Sequence, residues 1–464
     1  MIHEPFNYDD IKLMSVELPD SLKSLRYAGR YKEELDEIER LLDPNTFPKF
    51  DPIMEARLKL ERYFAWGLMN DYRTTEEEMI AVIAEKHPGF GKDNLTDIIN
   101  TGHADYLLTA EGLRFQKDAG ANILGGRCAK YLWEFDHPGE TYTPSIGENE
   151  NIRIQKETGF HAYNYTVRMW IKPDAEHERE GKILRAWLPF PCECEEQSDI
   201  KLLSVSHPNY IVSNAGTRTV YAEFPYHKGE KFEITFSFTN TARYKELSFD
   251  AARNDVPPQL RVFTEEYEPH IIFTLYLKKL ATYLMGSETN HLKIARRFYD
   301  YVTNHVKYSF MREYRLFDNI PMYAAVNGRG DCGVMALLFV TLCRIAGIPA
   351  RWQSGNACNP SRVASHDWAK FYVEPWGWLH ADCSYGGSAL RNGDLESWNW
   401  LFGNFDPFRF IACEAFQTEA EPKKKFMRLD PYDNQTGEIE YEDEWLTFSD
   451  IDAYKGIVEA HRVV

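Results

Sequence analysis

The spacing of apolar residues predicts that the first third of the chain is helical. Apolar positions recur at helical spacing over residues 18–43, where Pro44 ends the run, and again over residues 53–69. The capping box Thr75-x-x-Glu78 then marks the start of a third helix. We find no candidate for chemistry in this region, so it is predicted to be an accessory helical domain.

Period-two alternation, which is typical of strands, appears further along the chain. Residues 106–108 and 113–115 predict a short hairpin. Residues 136–159 are polar and rich in Gly, Pro and Glu, which predicts a linker. Beyond it, apolar and polar residues alternate in four segments, which are residues 163–171, 183–191, 219–224 and 231–239. Several short strands with turn-rich spacers predict a β-sandwich of about one hundred residues.

Helical patterns return over residues 275–285 and 291–306. The chain is therefore predicted to be a multidomain α+β protein, as a length of 464 residues also suggests. The predicted domains are a mostly helical region at residues 1–150, a β-sandwich at residues 151–250 and a third domain at residues 251–464.

Charge and composition exclude some partners. The formal net charge is −18, and such a surface repels phosphate backbones, so neither nucleic acid nor an anionic membrane is an expected partner. No segment approaches the ~20 apolar residues of a membrane span. The sparse cysteines and the absence of a leader-like start predict a cytoplasmic protein; a secreted or periplasmic location is the alternative if a leader has been removed.

A cysteine at the start of an apolar helix is the strongest candidate for chemistry. Residues 332–346 are apolar nearly all round, Asp331 stands where an N-cap belongs, and Gly347 stands where the helix should end. The free N–H groups and the dipole at a helix N-terminus favour the reactive thiolate. Cys332 is therefore predicted to be a nucleophile. The alternative is a small buried residue, as Cys343 is predicted to be.

Two other motifs overlap this segment. Residues 328–333 match G-x-G-x-x-G, but a dinucleotide site needs a buried strand before the glycines and an acid about 20 residues later. The preceding YAAVN is a poor strand, and no acid stands at the expected place. Residues 329–331 spell Arg-Gly-Asp, but the approach to a buried helix is not an exposed hairpin tip. Neither motif is predicted to bind a ligand.

A histidine and an aspartate on one predicted hairpin complete a candidate triad. Residues 366–384 form two predicted strands, with His366 on the first and Asp382 near the end of the second. A longer connection centred on Glu374 puts the two residues opposite each other on one face, whereas a two-residue turn separates them. The triad hypothesis therefore predicts the longer connection, with Asp382 accepting the Nδ1 proton of His366 and Nε2 left for the cysteine.

Two alternatives to a triad stay open. One is a structural histidine on an aromatic hairpin. The other is a zinc site with the ligands Cys332, His366, His380 and Cys383. Their spacing matches no common zinc pattern, and the pair Cys192-x-Cys194 has no partner ligands at useful spacing, so no metal is expected.

Taken in order, these motifs resemble the transglutaminase-like superfamily. They are GDCG around Cys332, the run LCRIAGIPAR, His366-x-Trp368 and a W-x-x-x-D motif that ends at Asp382. The resemblance covers residues 260–400, and the preceding LRAWLPFP resembles the sandwich that often precedes this core in bacterial members. The superfamily unites transglutaminases, microbial cysteine peptidases and peptide N-glycanases.

The resemblance implies a papain-like/transglutaminase-like catalytic core in the third domain. It assigns Cys332 as nucleophile, His366 as base and Asp382 as orienting acid, in acyl transfer without a cofactor. The second oxyanion donor in the family is commonly an upstream side chain, for which Tyr308 and Tyr323 are candidates.

Trp368 is expected to exclude water at the substrate site. We expect hydrolysis of amide bonds in a protein or peptide substrate, by a peptidase or amidase. The alternatives are a protein-glutamine transglutaminase and a non-catalytic module that binds protein or glycan on the same scaffold. The acidic residues 430–444 miss the spacing of a calcium loop and predict a solvated hairpin. The oligomeric state is left open.

Overall fold

The computed structural model describes residues 6–45, 50–144, 146–214, 216–416, 418–428 and 435–463. Contacts within the chain divide it into two units. The first comprises Met1–Ser145, Tyr267–Ile272 and Asn304–Val334, and the second comprises Ile146–Glu266, Phe273–Thr303 and Met335–Val464. The predicted domain boundaries at residues 150 and 250 remain predictions.

The α-helices are, in chain order, α1 (Asp20–Tyr27), α2 (Tyr31–Leu42), α3 (Pro52–Asp71), α4 (Glu76–Ala84), α5 (Lys92–Asn100), α6 (Ala119–Asn122), α7 (Ala129–Asp136), α8 (Glu150–Thr158), α9 (Leu275–Met285), α10 (His291–His305), α11 (Ile320–Asn327), α12 (Cys332–Ile345), α13 (Cys383–Arg391) and α14 (Leu395–Trp400). The strands are β1 (Tyr106–Thr109), β2 (Gly112–Phe115), β3 (Phe160–Pro173), β4 (Ile183–Pro189), β5 (Gln197–Val205), β6 (Tyr210–Val212), β7 (Thr219–Pro225), β8 (Phe232–Arg243), β9 (Lys307–Tyr308), β10 (Arg329–Gly330), β11 (Ala350–Asn359), β12 (Arg362–Val373), β13 (Gly377–Ala381), β14 (Phe402–Gly403), β15 (Arg409–Cys413), β16 (Glu438–Tyr441) and β17 (Ile451–Val463).

The N-terminal part of the first unit is helical, as predicted, with one break that the periodicity did not indicate. The run over residues 18–43 forms two helices, α1 and α2, separated at Gly29, which has a φ of +66°. A side chain at Gly29 would collide with the carbonyl oxygen of Leu108, so only glycine fits this turn. Thr75 and Glu78 form the predicted capping box of α4, and β1 and β2 form the predicted hairpin.

The segment predicted as a linker contains helix α8. Asn149 caps this helix by accepting a hydrogen bond from a backbone N–H, and Ile152 and Ile154 are buried. Ile152 packs with Trp400 and Leu401 in a small apolar cluster. The linker prediction is wrong for α8, because two isoleucines in a polar surrounding are too weak a pattern to reveal a helix that packs on distant residues.

Two four-stranded antiparallel sheets dominate the second unit. Their strand orders are β16-β4-β7-β6 and β17-β3-β8-β5. Both sheets contribute to one apolar cluster, which includes Tyr165, Leu184, Val220, Ile234 and Ile439. The strands predicted from period-two alternation lie in these sheets, and β16 and β17 are added from the far end of the chain.

Strand β16 changes the interpretation of the acidic run near the C-terminus. Glu440 is 0% exposed, and its carboxylate accepts a hydrogen bond from Arg185 and lies 3.8 Å from the ammonium of Lys424. The predicted solvated hairpin is therefore wrong for residues 438–441, which are buried, because Glu440 pairs with cations inside the fold. The preceding part of that run, residues 430–434, lies outside the described residues.

A five-stranded sheet with the order β14-β13-β12-β11-β15 carries the candidate base, and the candidate acid directly follows its strand β13. Cys358, Val363 and Phe410 from this sheet join the apolar cluster of the two four-stranded sheets. The apolar helix predicted from residue 332 is α12, and Gly347 beyond it has a φ of +76°, as expected for a helix stop. Together these elements confirm the predicted α+β, multidomain class. Within the described part of the chain, none of the helices combines the length and hydrophobicity needed to cross a bilayer.

Candidate active site

A buried histidine–aspartate pair lies on β12 and at the end of β13, in the second unit. The Nε2 atom of His366 lies 2.7 Å from the Oδ2 atom of Asp382, and the two residues are 3% and 1% exposed. The expectation that Asp382 binds Nδ1 is wrong. A neutral ring that donates from Nε2 has Nδ1 as its proton acceptor, so Nδ1 is the nitrogen left for a reacting partner.

The strand register explains this geometry. Residues 374–376 connect β12 to β13, and Ala369 pairs with Ala381. One further pair in the same register puts Asp382 opposite Trp368, so Asp382 is the diagonal neighbour of His366 on one face of the sheet. The predicted longer connection is confirmed, but it is centred on residue 375 rather than 374. Because the acid is displaced diagonally, the imidazole reaches it with its distal nitrogen.

Asp382 is held by more than the histidine. Its Oδ1 atom accepts hydrogen bonds from the backbone N–H of Tyr385 at 2.9 Å and from the hydroxyl of Ser384 at 3.2 Å, which makes it the N-cap of α13. Burial acts to raise the pKa of Asp382, but the positive charges of His366 and Arg409 outweigh burial and hold that pKa well below its usual range. Asp382 therefore carries a fixed negative charge beside the imidazole.

Arg409 contacts the candidate acid, and the sequence did not indicate it. Its Nη1 atom lies 2.8 Å from the same Oδ2 atom of Asp382 that contacts His366. Its Nη2 atom donates to Asp406 at 2.7 Å, and the arginine is 1% exposed. The guanidinium thus balances the buried carboxylate. No motif marks Arg409, because it lies on β15, which sheet pairing alone brings beside β11.

Aromatic side chains enclose the histidine. The ring of His366 stacks on that of Tyr385, with centroids 4.2 Å apart and planes 15° apart. Trp368 is 1% exposed, and its Nε1–H donates to the Oε1 atom of Gln353 at 2.7 Å. The indole N–H is therefore committed to the protein, and Trp368 acts as a wall beside the imidazole. Gln353, on the neighbouring strand, was not identified from the sequence.

Cys332, which belongs to the first unit, is the first residue of helix α12 and is 8% exposed. The carboxylate of Asp331 accepts a hydrogen bond from the backbone N–H of Val334 at 2.9 Å, which confirms the predicted N-cap. The hydroxyl of Tyr314 donates to the same carboxylate oxygen at 2.6 Å. The thiol therefore lies at a capped helix N-terminus, where free N–H groups and the helix dipole favour a thiolate.

The two candidate oxyanion tyrosines have different surroundings. The hydroxyl of Tyr308 lies 4.0 Å from the sulfur of Cys332, because β9 and β10 pair in parallel with Tyr308 beside Gly330. The hydroxyl of Tyr323 instead donates to Asp105 at 2.6 Å and accepts from Nε of Arg329 at 3.1 Å. Only Tyr308 has its hydroxyl beside the sulfur.

The two motifs that overlap the nucleophile segment have structural roles. Helix α11, not a strand, precedes the G-x-G-x-x-G match, so a dinucleotide fold is absent from this described segment. Arg329 of the Arg-Gly-Asp tripeptide is 6% exposed, and Asp331 caps a helix. Neither motif is displayed for a ligand.

One cluster outside the pair has metal-ligand character. Ligand atoms of Cys194, Glu196 and Glu414 all lie within 4.8 Å of one another. Glu196 accepts a hydrogen bond from the fully buried ammonium of Lys370, and Glu414 accepts one from Arg351 at 3.0 Å. Each carboxylate already has a cationic partner, so the charges in this cluster balance without an ion.

The other candidate zinc ligands on the hairpin, His380 and Cys383, are buried. Nε2 of His380 lies 3.0 Å from Glu196, and its ring stacks on Phe405. Burial is the main reason that the pKa of His380 falls to about 4, so the ring is neutral at pH 7. Cys383 is 2% exposed at the start of α13.

Residues 278–383 match the family model described as the transglutaminase-like superfamily. No curated protein matches the sequence. Among solved structures, the chain is similar to a candidate cysteine protease from Cytophaga hutchinsonii, with 13% identity and a TM-score of 0.38 over 66% of this chain and 90% of that chain.

It is also similar to the periplasmic domain of TgpA from Pseudomonas aeruginosa, with 13% identity and a TM-score of 0.29 over 55% of this chain and 99% of that chain. The match to the family model, over residues 278–383, includes Cys332, His366 and Asp382. The chain therefore contains a domain of the transglutaminase-like superfamily, matched over residues 278–383.

Proposed function

We propose that this chain is a cysteine-dependent hydrolase of amide bonds in a protein or peptide substrate. In this proposal Cys332 is the nucleophile, His366 is the general base and acid, and Asp382 orients the histidine. The observation that carries the proposal is the buried 2.7 Å contact between Nε2 of His366 and Asp382, which leaves Nδ1 to exchange a proton with a thiol. The transglutaminase-like match over residues 278–383 supports it.

The first half of the reaction is acylation. Nδ1 of His366 takes the proton of the Cys332 thiol, and the thiolate attacks the carbonyl carbon of the amide. The resulting oxyanion is bound by the backbone N–H of Cys332 and by the hydroxyl of Tyr308. The carbon–nitrogen bond then breaks, the amine leaves with the proton from His366, and a thioester with Cys332 remains.

The second half is release of the acyl group. Nδ1 of His366 removes a proton from a water molecule, whose oxygen attacks the thioester carbon. The carbon–sulfur bond breaks, the carboxylic acid leaves, and the proton returns to the sulfur. The negative charge of Asp382 stabilises the imidazolium in both halves, since it remains ionised throughout. An amine in place of water would give a cross-linked product instead.

The setting proposed for this chemistry is the cytoplasm. All eight cysteines lie in the described residues, and none of them is in a disulfide. A protein with sparse unpaired thiols suits a reducing compartment.

Competition between two thiols tests the nucleophile. Cys194 is partly exposed, whereas Cys332 is buried at 8% exposure, so access alone favours alkylation of Cys194. Burial raises the pKa of Cys194 far above its usual range. We expect iodoacetamide at pH 7 to modify Cys332 about tenfold faster than Cys194, because only Cys332 has thiolate character. Mass spectrometry of tryptic peptides gives both rates from one sample.

Peptide-library cleavage, run with and without a fluorescent primary amine, tests the reaction. We expect new peptide termini, no incorporation of the amine, and loss of cleavage in Cys332→Ala but not in Cys194→Ser. Incorporation of the amine would instead identify a transglutaminase. Full cleavage by Cys332→Ala, or equal labelling of the two cysteines, would rule out Cys332 as the nucleophile and leave a binding module as the better interpretation.

A further inference from the structure

Arg329 lies three residues before the nucleophile, and its side chain is buried within the first unit. Its Nε atom lies 3.3 Å from Oδ1 of Asp105, and its Nη1 atom donates to the carbonyl of Ala104 at 3.1 Å. The guanidinium also lies over the ring of Tyr106, 4.3 Å from its centroid. The segment around β1, in the N-terminal helical region, therefore holds Arg329 in place through an ion pair, a hydrogen bond and a cation–π contact.

Asp105 is the centre of this contact. It is 0% exposed, and it accepts hydrogen bonds from the hydroxyls of Tyr72 and Tyr323 in addition to its ion pair with Arg329. A second guanidinium, that of Arg312, lies over the rings of both tyrosines at 4.8 Å and 5.1 Å from their centroids. The carboxylate is thus fully satisfied, and a neutral replacement would leave two buried cations without it.

The held residue belongs to the strand that sets the nucleophile. Arg329 pairs with Lys307 and Gly330 with Tyr308 in the parallel bridge between β10 and β9. That bridge puts the Tyr308 hydroxyl 4.0 Å from the sulfur of Cys332. Fixing Arg329 therefore fixes the position of β10, from which the chain leads directly into the cap of α12.

We infer that Asp105 is a positioning residue for the Cys332 thiol and that the N-terminal helical region is part of the catalytic machinery rather than an accessory domain. A buried ion pair does not by itself explain stability, because its desolvation offsets much of its attraction, but it does impose one geometry. The inference rests on the proposed function, in which Cys332 is the nucleophile. It also gives Arg329 a role that the Arg-Gly-Asp motif did not suggest.

The test replaces Asp105 by Asn, which keeps the shape of the side chain and removes its charge. We expect the rate of Cys332 alkylation at pH 7 to fall about tenfold relative to that of Cys194, and kcat to fall similarly with little change in KM, since a displaced nucleophile loses orientation rather than binding. Tyr323→Phe, which keeps the ring and removes one hydroxyl from Asp105 and Arg329, should give a smaller fall of the same kind.

The matched control is Glu61→Gln. Glu61 is also a fully buried carboxylate of the helical region, and it pairs with Arg57 at 2.7 Å. This ion pair does not include Asp105 or Arg329. We expect Glu61→Gln to lower the melting temperature without changing the ratio of Cys332 to Cys194 alkylation. The inference is overturned if Asp105→Asn changes that ratio no more than Glu61→Gln does. If Asp105→Asn does not fold, an unchanged ratio in Tyr323→Phe overturns it equally.

The same measurement separates this inference from the proposed function. If wild-type Cys332 is not alkylated faster than Cys194, the proposed nucleophile fails and the positioning role fails with it. If Cys332 is the faster thiol in the wild-type protein and the ratio of its rate to that of Cys194 is unchanged in folded Asp105→Asn, only the positioning role fails.

Discussion

The Nε2 atom of His366 and the Oδ2 atom of Asp382 lie 2.7 Å apart although the two residues occupy diagonal, not facing, positions of their strand pair. The contact forms because Asp382 lies one residue beyond β13, where it also caps α13. One carboxylate therefore serves both as a helix cap and as the acceptor that sets the tautomer of the imidazole. A mutation can remove the second role and keep the first.

Asp382→Asn removes the charge and keeps a capping oxygen. We expect kcat to fall about 10⁴-fold, because an amide cannot stabilise the imidazolium and favours the wrong tautomer, while α13 remains formed. Steady-state kinetics on a cleaved peptide and circular dichroism measure the two effects. Asp406→Asn is the control, since Asp406 contacts Arg409 but makes no hydrogen bond to His366; a loss as large as that of Asp382→Asn would contradict the assignment.

The hairpin shows what the sequence could and could not predict. Strand alternation allowed His366 and Asp382 to share a face only with an odd-length connection, which the triad hypothesis required and the structure has. It was not enough to place the centre of the connection, so the contacting nitrogen was assigned wrongly. Moving the centre of the connection by one residue keeps Asp382 on the same face but puts it opposite Trp368 instead of His366. The apolar pattern does not determine which of these two positions Asp382 takes.

Tyr308→Phe tests the second oxyanion donor. We expect kcat to fall about 10²-fold with little change in KM, because the hydroxyl acts on charge that develops in the transition state. The rate of Cys332 alkylation should stay the same, since Tyr308 is not required to position the thiol. A Tyr308→Phe enzyme with full kcat would show that the hydroxyl 4.0 Å from the sulfur is not a donor.

Arg409→Met removes the cation that balances two carboxylates. We expect the free energy of unfolding to fall by about 3–5 kcal/mol, because Asp382 and Asp406 are left without their guanidinium. Urea titration gives this loss. Arg428→Met is the matched control, since Arg428 is equally buried and pairs with Glu438 at 2.9 Å. It should lose similar stability and keep kcat, whereas Arg409→Met should lose both.

The same variant has a pH signature. The pKa of Asp382 is lower in the folded protein than its ordinary value of 3.8, so this group contributes stability above that value and the contribution is lost as the pH falls below it. Without Arg409 the folded-state pKa rises, and the acid-dependent part of the unfolding free energy becomes smaller. A wild-type slope of stability against pH below 4 in Arg409→Met would contradict this account.

Residues that act through long-range pairing were invisible in the sequence. Asp105 lies in a region with no apparent chemistry, and Arg409 lies on a strand that only the completed sheet brings beside β11. In contrast, Cys332 was recognisable because its signals are local: a cap, an apolar helix and a glycine stop. Local structure depends on residues that are close in sequence, whereas the partners of a buried charge depend on the whole fold.

Asp331→Asn tests how the cap of α12 tunes the thiol. Burial raises the pKa of Asp331 to about 6, so its carboxyl is charged at pH 7 and disfavours a thiolate on the next residue. Asparagine keeps the cap without the charge. We therefore expect the alkylation rate of Cys332 at pH 7 to rise about threefold, because the variant lacks the negative charge that disfavours the thiolate.

The pH dependence of the unfolding free energy of the same variant differs from that of the wild-type protein in a defined direction. Because the folded-state pKa of Asp331 lies above its ordinary value of 3.8, its contribution to stability is complete below 3.8 and is lost as the pH rises through about 6. Asp331→Asn has no such loss, so its unfolding free energy relative to that of the wild-type protein should rise between pH 4 and pH 7. Equal changes, measured by urea titration at both pH values, would mean that the Asp331 carboxyl does not titrate in this range.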